Sequence, residues 1–326
     1  MKRVLLTGGT GFIGANLARR LINSGHDVHL FVRHAATHWR IEEIRNAVRL
    51  HEVDLADIEG VRRVVREVRP DWVFHLAVHG AYSAQMSVPE MVQTNVTGTI
   101  NLVQACLDTG FEAFINTGSS SEYGHKDHAP SESEWLDPNS YYAITKAFGT
   151  HFCRYIAQRH HAPILTLRLY SAFGPFEEPT RLMPNVILRG LDGELPPLVD
   201  PAISRDFVYT EDVTHAYLRA ASQAIGAPAG GVYNVGTGVQ TSMRDLVDLA
   251  QRVLPIKTKP AWGSMPDRFW DADVWVANVR RISDELGWQP QHTLEQGFRK
   301  TVEWFRAFPA VEQVYRSRMS AGETAT

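Results

Sequence analysis

Tyr142 and Lys146 stand four residues apart in Ser140-Tyr141-Tyr142-Ala143-Ile144-Thr145-Lys146-Ala147, hence on one face of any helix that contains them. That pairing can do proton chemistry. A free phenol titrates near about 10 and is a poor base at neutral pH. A neighbouring ammonium favours the phenolate and brings it toward the working range. A tyrosine and a lysine at this spacing also arise on helices with no function, so the weight of the pair comes from two other stretches. One is the serine run Ser119-Ser120-Ser121, which closes the apolar segment Ala113-Phe114-Ile115-Asn116-Thr117-Gly118. The other is Thr7-Gly8-Gly9-Thr10-Gly11-Phe12-Ile13-Gly14, directly after Val4-Leu5-Leu6.

In this second stretch a strand-forming run feeds a glycine turn that opens onto Ala15 to Ile22, whose apolar positions recur at helical spacing. Gly8 permits the tight turn, Gly11 lets the backbone approach a pyrophosphate, and Gly14 allows helix to pack closely on strand. The unpaired amides at the helix start, with the positive end of its dipole, suit phosphates. Strand before, helix after and a place at the chain start turn a weak glycine pattern into a dinucleotide site.

The elements that must position these residues alternate. Asp27 to Val32, Val48 to Val53, Trp72 to Val78, Ala113 to Gly118 and Ile164 to Leu169 read as strands. Val61 to Val68 and Val96 to Leu107 read as helices between them. Alternation of this kind implies a parallel sheet with right-handed crossovers, and ligands gather at the carboxyl ends of its strands. The fold class is therefore α/β: a Rossmann-type doubly wound parallel sheet over residues 1–169, with a smaller mixed C-terminal substrate lobe over 170–326. Phe207-Val208-Tyr209 and Val232-Tyr233-Asn234-Val235 are short apolar runs able to return to the sheet, near 206–213 and 232–238. Residues 317–326 are polar and small, and read as a frayed tail.

Composition sets the outer bounds. At 326 residues and 44% hydrophobic, the chain can bury one large core or two modest ones. A net charge of -3 carries no nucleic-acid footprint. No stretch reaches the roughly 20 apolar residues that span a bilayer. The two cysteines, Cys106 and Cys153, form neither a disulfide framework nor a metal pattern, and read as buried thiols. A cytoplasmic enzyme with no metal, membrane or nucleic-acid partner is the expectation.

The end of the second strand bears on the cofactor. An acidic residue there would hold the adenosine ribose hydroxyls, whereas arginine suits a 2'-phosphate. Arg33, with Arg40 as a helper, points to NADP over NAD. Asp54, after the third strand, either meets the adenine amino group or starts the next turn.

Taken together, these motifs resemble the extended short-chain dehydrogenase/reductases of the nucleotide-sugar epimerase/dehydratase family. TGGTGFIG, His75-Leu76-Ala77-Val78, Asn95 in NVTGT, YAITK, RDFVYTEDV from Arg205, YNVGTG from Tyr233 and the late ELGWQP occur in the family's order. The resemblance implies a catalytic acid/base at Tyr142, its electrostatic partner at Lys146, and Ser119 bonded to the sugar oxygen that gains or loses a proton. It adds Gly8, Gly11, Phe12, Ile13, Gly14, Arg33, Asp54, Leu55, Leu76, Ala77 and Asn95 as cofactor contacts, beside Tyr142 and Lys146. Ser120, Ser121, Ser171, Leu195, Arg205 and Arg268 would face a nucleotide-sugar substrate. It also implies a homodimer through two helices of each subunit, about 94–107 and 142–158.

Departures from the pattern narrow the reaction. The family's 4,6-dehydratases place an acidic pair after the Ser or Thr, and here Ser120 and Ser121 stand there. The loop after the sixth strand has Ser171 where the family usually has Asn. The segment Gly118-Ser119-Ser120-Ser121-Glu122-Tyr123-Gly124 is similar to that of 4-keto-6-deoxyhexose reductases. The leading expectation is hydride transfer at carbon 4 by such a reductase, and the alternative is an NAD-dependent 4-epimerase. A third reading, a catalytically silent cofactor-binding protein, is opposed by the intact Ser119, Tyr142 and Lys146.

Overall fold

Val4, Leu5 and Leu6 are wholly buried in the middle of a seven-stranded parallel sheet. The computed structural model describes residues 1–34, 38–82, 85–265 and 272–323. In chain order the first part runs β1 (Arg3–Thr7), α1 (Phe12–Asn23), β2 (Asp27–Val32), a 3-10 segment (Trp39–Ala47), β3 (Arg49–Glu52), α2 (Ile58–Val68), β4 (Trp72–His75) and α3 (Val88–Met91). It continues through a π-helical turn (Val92–Thr97), α4 (Gly98–Thr109), β5 (Ala113–Ser119), a 3-10 turn (Ser120–Tyr123), α5 (Tyr141–His160) and β6 (Ile164–Leu169). The remainder comprises β7 (Ser171–Phe173), α6 (Leu182–Leu191), β8 (Ser204–Arg205), β9 (Phe207–Tyr209), α7 (Thr210–Gln223), β10 (Val232–Val235), β11 (Thr241–Ser242), α8 (Met243–Val253), α9 (Arg280–Leu286), α10 (Leu294–Ala307) and α11 (Pro309–Glu323).

The strand order is β10-β6-β5-β4-β1-β2-β3, so the winding reverses between β1 and β4, where open α/β sheets leave a ligand crevice. Both faces are covered, as the near-continuous apolar strands require. On one face Leu6, Leu30 and Phe74 pack with Leu17 and Leu21 of α1 and Val213 and Tyr217 of α7. On the other, Leu5, Val73 and Phe114 pack with Val61 and Val65 of α2, Leu102 of α4 and Cys153 of α5. A separate core around Phe173, Val186, Leu246 and Phe298 fills the second lobe. Cys106 and Cys153 are buried and free, and burial pushes both thiols up, that of Cys153 to about 12.

Two expectations change. Of the two late apolar runs only β10 joins the main sheet, alongside β6. β9 pairs instead with β7 in a two-stranded sheet of its own. The Asp206 carboxylate explains the detour, for it accepts the Thr237 and Ala277 amides at 2.7 and 3.0 Å and ties the start of β9 to the loop after β10. Residues 317–323 are helical and belong to α11, so they are no frayed tail. Tyr315 anchors this helix, its buried hydroxyl donating to the Glu177 carbonyl at 2.6 Å.

A buried polar chain joins the strands that flank the crevice. The Thr99 hydroxyl donates to the Asn95 carbonyl (2.6 Å) and so accepts from Nε2–H of His75 (3.0 Å). Nδ1 of His75 is thereby left to accept from the Thr7 hydroxyl (2.8 Å), which itself accepts the Ala77 amide (3.1 Å). Burial, reinforced by the Lys146 charge, pushes the imidazole down to about 3 and keeps it neutral. A histidine depressed from 6.5 to about 3 on folding contributes stability present above pH 6.5 and lost as the pH falls toward 3, about 4–5 kcal/mol in all. Urea unfolding of the native and His75→Asn proteins between pH 6 and pH 4 tests this. The native protein should lose stability more steeply, by about 1.4 kcal/mol per pH unit, and parallel slopes would refute it.

Candidate active site

The glycine turn is shaped by space as well as by torsion. Gly8 has φ +71, and a Cβ there would stand 2.6 Å from the Leu76 carbonyl carbon and 2.7 Å from the Ala77 nitrogen. A Cβ on Gly14 would stand 2.1 Å from the Gly8 carbonyl oxygen. The ends of β1 and β4 and the first turn of α1 therefore touch through bare backbone. Gly11 caps α1 with no side-chain hydrogen bond, so the first amides of the helix are left to an anionic ligand. Phe12 and Ile13 open this helix, and Asn16 Nδ2 donates to the Phe12 and Pro175 carbonyls at 3.0 and 2.8 Å, closing the loop after β7 against it. The bare cradle with its uncapped helix fits the pyrophosphate of a dinucleotide.

Ser119 and Tyr142 come together through a hydrogen bond between their hydroxyls, with Lys146 one turn further along α5. Ser140 starts α5 by accepting the Ala143 amide at 3.2 Å, which sets the phase that puts Tyr142 and Lys146 on the inner face. Ser119 ends β5, its Oγ 2.7 Å from Ser121 Oγ and accepting the Ser121 amide at 3.2 Å. Burial holds the Tyr142 phenol above its ordinary value. The Ser119 hydroxyl and Arg181 pull it down, and Glu122 and Tyr82 push it up. In the protein's own balance burial prevails over the groups that lower Tyr142, and the lowering expected from the sequence draws also on the positive ring of a nicotinamide. The Lys146 ammonium is pushed down to about 8 by burial, with Glu122 and Cys153 opposing.

The other predicted residues divide. Leu76 and Ala77 lie directly under the glycine turn. Asn95, in the π-helical turn, is buried. Its Oδ1 accepts the His79 amide (2.8 Å), and its Nδ2 donates to the His79 carbonyl (2.9 Å) and to Thr145 Oγ1 (2.8 Å). It straps the loop after β4 to the helix that carries Tyr142. Arg33 follows β2 and is exposed, two residues beyond the pairing of Thr7 with Phe31. Arg40 is no helper there. It is buried, donating to the Phe176 carbonyl (2.7 Å) and the Glu178 carboxylate (2.8 Å) while lying over Trp39. Asp54 Oδ1 accepts the Ala56 amide at 2.9 Å, so it starts a turn, and Leu55 behind it is buried. Ser120 is buried and Ser121 half-buried beside Ser119. Ser171 bonds through its amide to the Asp206 carbonyl at 3.0 Å, and Leu195 is half-buried. Arg205 donates to the Ser204 carbonyl at 2.7 Å and lies over Trp275. Arg268 lies outside the described residues.

Sequence reading missed the supports: Thr7, Thr99, Glu122 and Arg168. For Glu122 a signal existed, since Ser119-Ser120-Ser121-Glu122 is the S-x-x-E pattern of a capping box, and that box is present. Arg168, in the middle of a strand, carried none.

A glycine cradle at the switch point of a doubly wound sheet, facing a serine, a tyrosine and a lysine, defines a dinucleotide-dependent oxidoreductase-type site. The NAD dependent epimerase/dehydratase family model matches residues 4–236, and the chain belongs to that family. A dTDP-glucose 4,6-dehydratase of Neisseria meningitidis is 29% identical over 94% of this chain and 93% of its own. A UDP-glucose 4-epimerase of Mycolicibacterium smegmatis is 31% identical over 93% of this chain and 98% of its own. Among solved structures, the UDP-glucose 4-epimerase of Thermus thermophilus in complex with NAD matches with a TM-score of 0.81 and 29% identity, over 93% of this chain and 99% of that one.

The cradle yields a graded prediction. Gly14→Ala meets fixed backbone and should cost about 1–3 kcal/mol and weaken dinucleotide binding at least tenfold. A Cβ on Gly9 meets only the tip of Leu30, at 2.8 Å, so Gly9→Ala should be milder on both counts. Thermal unfolding and cofactor titration of the two variants check the order.

Proposed function

We propose that the protein is an NADP-preferring reductase of a nucleotide-linked 4-keto-6-deoxyhexose, acting at carbon 4. The observation that carries this reading is Arg33, exposed just after β2 at the place where an acidic residue would select NAD. When bound, the nicotinamide supplies the hydride. The chain's own residues do the rest. Tyr142 delivers the proton to the sugar oxygen, Ser119 holds that oxygen by a hydrogen bond, and the Lys146 ammonium stabilises the phenolate left on Tyr142. Alignment by these groups is the larger part of the rate. Dehydration is disfavoured because Ser120 and Ser121 offer no acid–base pair, and both Glu122 oxygens already accept hydrogen bonds, from Ser119 N–H and from Arg168.

Ser171, Leu195, Arg205 and Arg268 would hold the nucleotide and its phosphates. Asn95, Leu55 and Asp54 would line the cofactor cleft with the glycine turn. We assign the second lobe, from residue 170, to substrate. A homodimer through α4 and α5 accords with Ile144 and Tyr155 of α5, which are 52% and 61% exposed. A cytoplasmic place accords with free buried thiols. Among the described residues no helix is long and apolar enough to cross a membrane.

A second reading, a 4-epimerase, is favoured by the 31% identity to an epimerase over nearly the whole chain, and it uses the same three residues. Cofactor identity and fate separate the two. The purified protein should bind NADPH more tightly than NADH, by about tenfold or more, and Arg33→Ala should erase most of that preference. Denatured protein that releases NAD, with no NADPH preference, would decide for the epimerase. In either case Tyr142→Phe should lower turnover by about 10²–10⁴. Near-normal turnover in that variant would sink the role given to Tyr142.

A further inference from the structure

Three consecutive carbonyls in the loop after β7 are each held by a side chain from a different part of the chain. The Pro175 carbonyl accepts from Asn16 Nδ2 of α1 at 2.8 Å, and that of Phe176 accepts from Nε–H of Arg40 at 2.7 Å. The Glu177 carbonyl accepts from the Tyr315 hydroxyl of α11 at 2.6 Å. Between these bonds Phe176 has φ +68, a left-handed conformation that is an outlier for a bulky side chain. Its buried ring is clamped from both lobes, with the Arg19 guanidinium 4.0 Å from its centroid and the Trp304 ring 4.9 Å away. Glu177 carries a second cost. Its carboxyl is buried, with Oε1 4.0 Å from Arg181 Nε and Oε2 without a hydrogen-bond partner. A strained torsion and an orphan oxygen in neighbouring residues mark a loop held away from its own preferred state by its surroundings.

We propose that this loop is a two-state clasp through which an occupied dinucleotide cradle orders the substrate lobe. The inference rests on the cofactor site and the lobe assignment given above. In the held state Phe176 is left-handed and the three carbonyls are bonded. In the released state Phe176 returns to an ordinary negative φ and the Glu177 carboxyl reaches water, so release recovers both costs. The first turn of α1 decides between them. Asn16 Nδ2 bonds the Phe12 carbonyl as well as that of Pro175. Its hold on the loop is therefore only as firm as the helix start, whose amides have no side-chain cap. A pyrophosphate on those amides fixes the turn and thereby favours the held loop. At its other end the loop runs straight into α6. The Arg181 amide donates to the Glu178 carbonyl at 2.9 Å, and Asn185 Nδ2 donates to the Pro179 and Arg181 carbonyls at 3.1 and 2.9 Å. α6 supplies Met183, Val186 and Ile187 to the second core, so holding the loop sets the start of the substrate lobe. By linkage, a ligand that orders this lobe tightens the cradle to the same degree.

Hydrogen exchange of the full chain, with and without NADPH or NAD, reads the clasp in the absence of any sugar. Saturating dinucleotide should slow exchange in the glycine turn, and also in α6 and α11, by about fivefold or more. Exchange in α9, which packs on α7 and β10 away from the loop, should stay as it was. That contrast separates the clasp from a general gain in stability on binding. Tyr315→Phe keeps the ring and removes one donor. In this variant dinucleotide should still protect the glycine turn, while most of its effect on α6 and α11 is lost. Arg19→Met keeps an apolar stem over the Phe176 ring without the charge, and should show the same loss in α6. Slowing confined to the glycine turn of the native protein overturns the proposal and leaves the cofactor site standing, as does undiminished slowing in both folded variants. No protection of the turn by either dinucleotide would overturn the cofactor site and the coupling together. Failure to turn over nucleotide sugars counts against the proposed function alone.

Discussion

Everything at the carboxyl edge depends on one close approach. β1 and β4 are adjacent strands, and beyond their paired ends the backbone of Gly8 lies against the Leu76–Ala77 peptide with no room for a methyl group. Gly14 brings α1 onto the same spot. A turn this tight leaves the first amides of α1 pointing outward with no side chain to cap them, and an uncapped helix start is an anion site. Shape and electrostatics here have a single cause. The buried Thr7–His75–Thr99 chain keeps the approach in register from below, and its Ala77 amide contact shows that the turn and the loop after β4 are built as one piece.

That loop passes the constraint on to the helix that carries Tyr142 and Lys146. Asn95 holds the His79 backbone with two hydrogen bonds and Thr145 with a third. Thr145 is the residue before Lys146 in α5, so the cradle and the Tyr142–Lys146 pair share a fixed frame. The irregular Val92–Thr97 turn puts Asn95 into this position, and π-type turns inside helices gather at functional sites. The cost of such rigidity is electrostatic. Lys146, Glu122 and Arg168 are all buried, and removing one partner of a buried pair typically costs about 3–5 kcal/mol. Glu122 and Arg168 are tolerated because they pair with each other at 2.8 Å and both carboxylate oxygens accept a hydrogen bond.

How much of this was legible in the sequence follows the range of the forces. Local signals were strong. Glycine spacing, strand–helix alternation and a tyrosine four residues from a lysine each express a contact within a few residues, and all three reappear in the fold. What depended on distant partners was hidden. Arg40 reads as a helper of Arg33 at the cofactor, and only the fold brings Phe176 and Glu178 to it, more than a hundred residues away. The run Phe207-Val208-Tyr209 is apolar enough for the main sheet, but the Asp206 contacts to Thr237 and Ala277 draw it elsewhere. Polar residues 317–323 become helix because Tyr315 finds a buried acceptor across the lobe.

The same distinction bears on reaction type. The chain is similar over nearly its whole length both to a dTDP-glucose 4,6-dehydratase and to a UDP-glucose 4-epimerase, so the shared frame by itself says little about which reaction it runs. The residues on which the proposed reaction rests lie in the short turn after β5 and at the end of β2. In that turn Ser120 and Ser121 offer hydroxyls, able to hold a sugar oxygen but poor at taking a proton from carbon. Glu122 stands one residue further on, where the 3-10 geometry carries its carboxylate back under the strand toward Ser119 N–H and Arg168. Both oxygens of an acid placed there are taken up by the protein itself. A carboxylate at this position is thus committed to holding the turn and the strands beneath it, and the other side chains of the turn's start are hydroxyls.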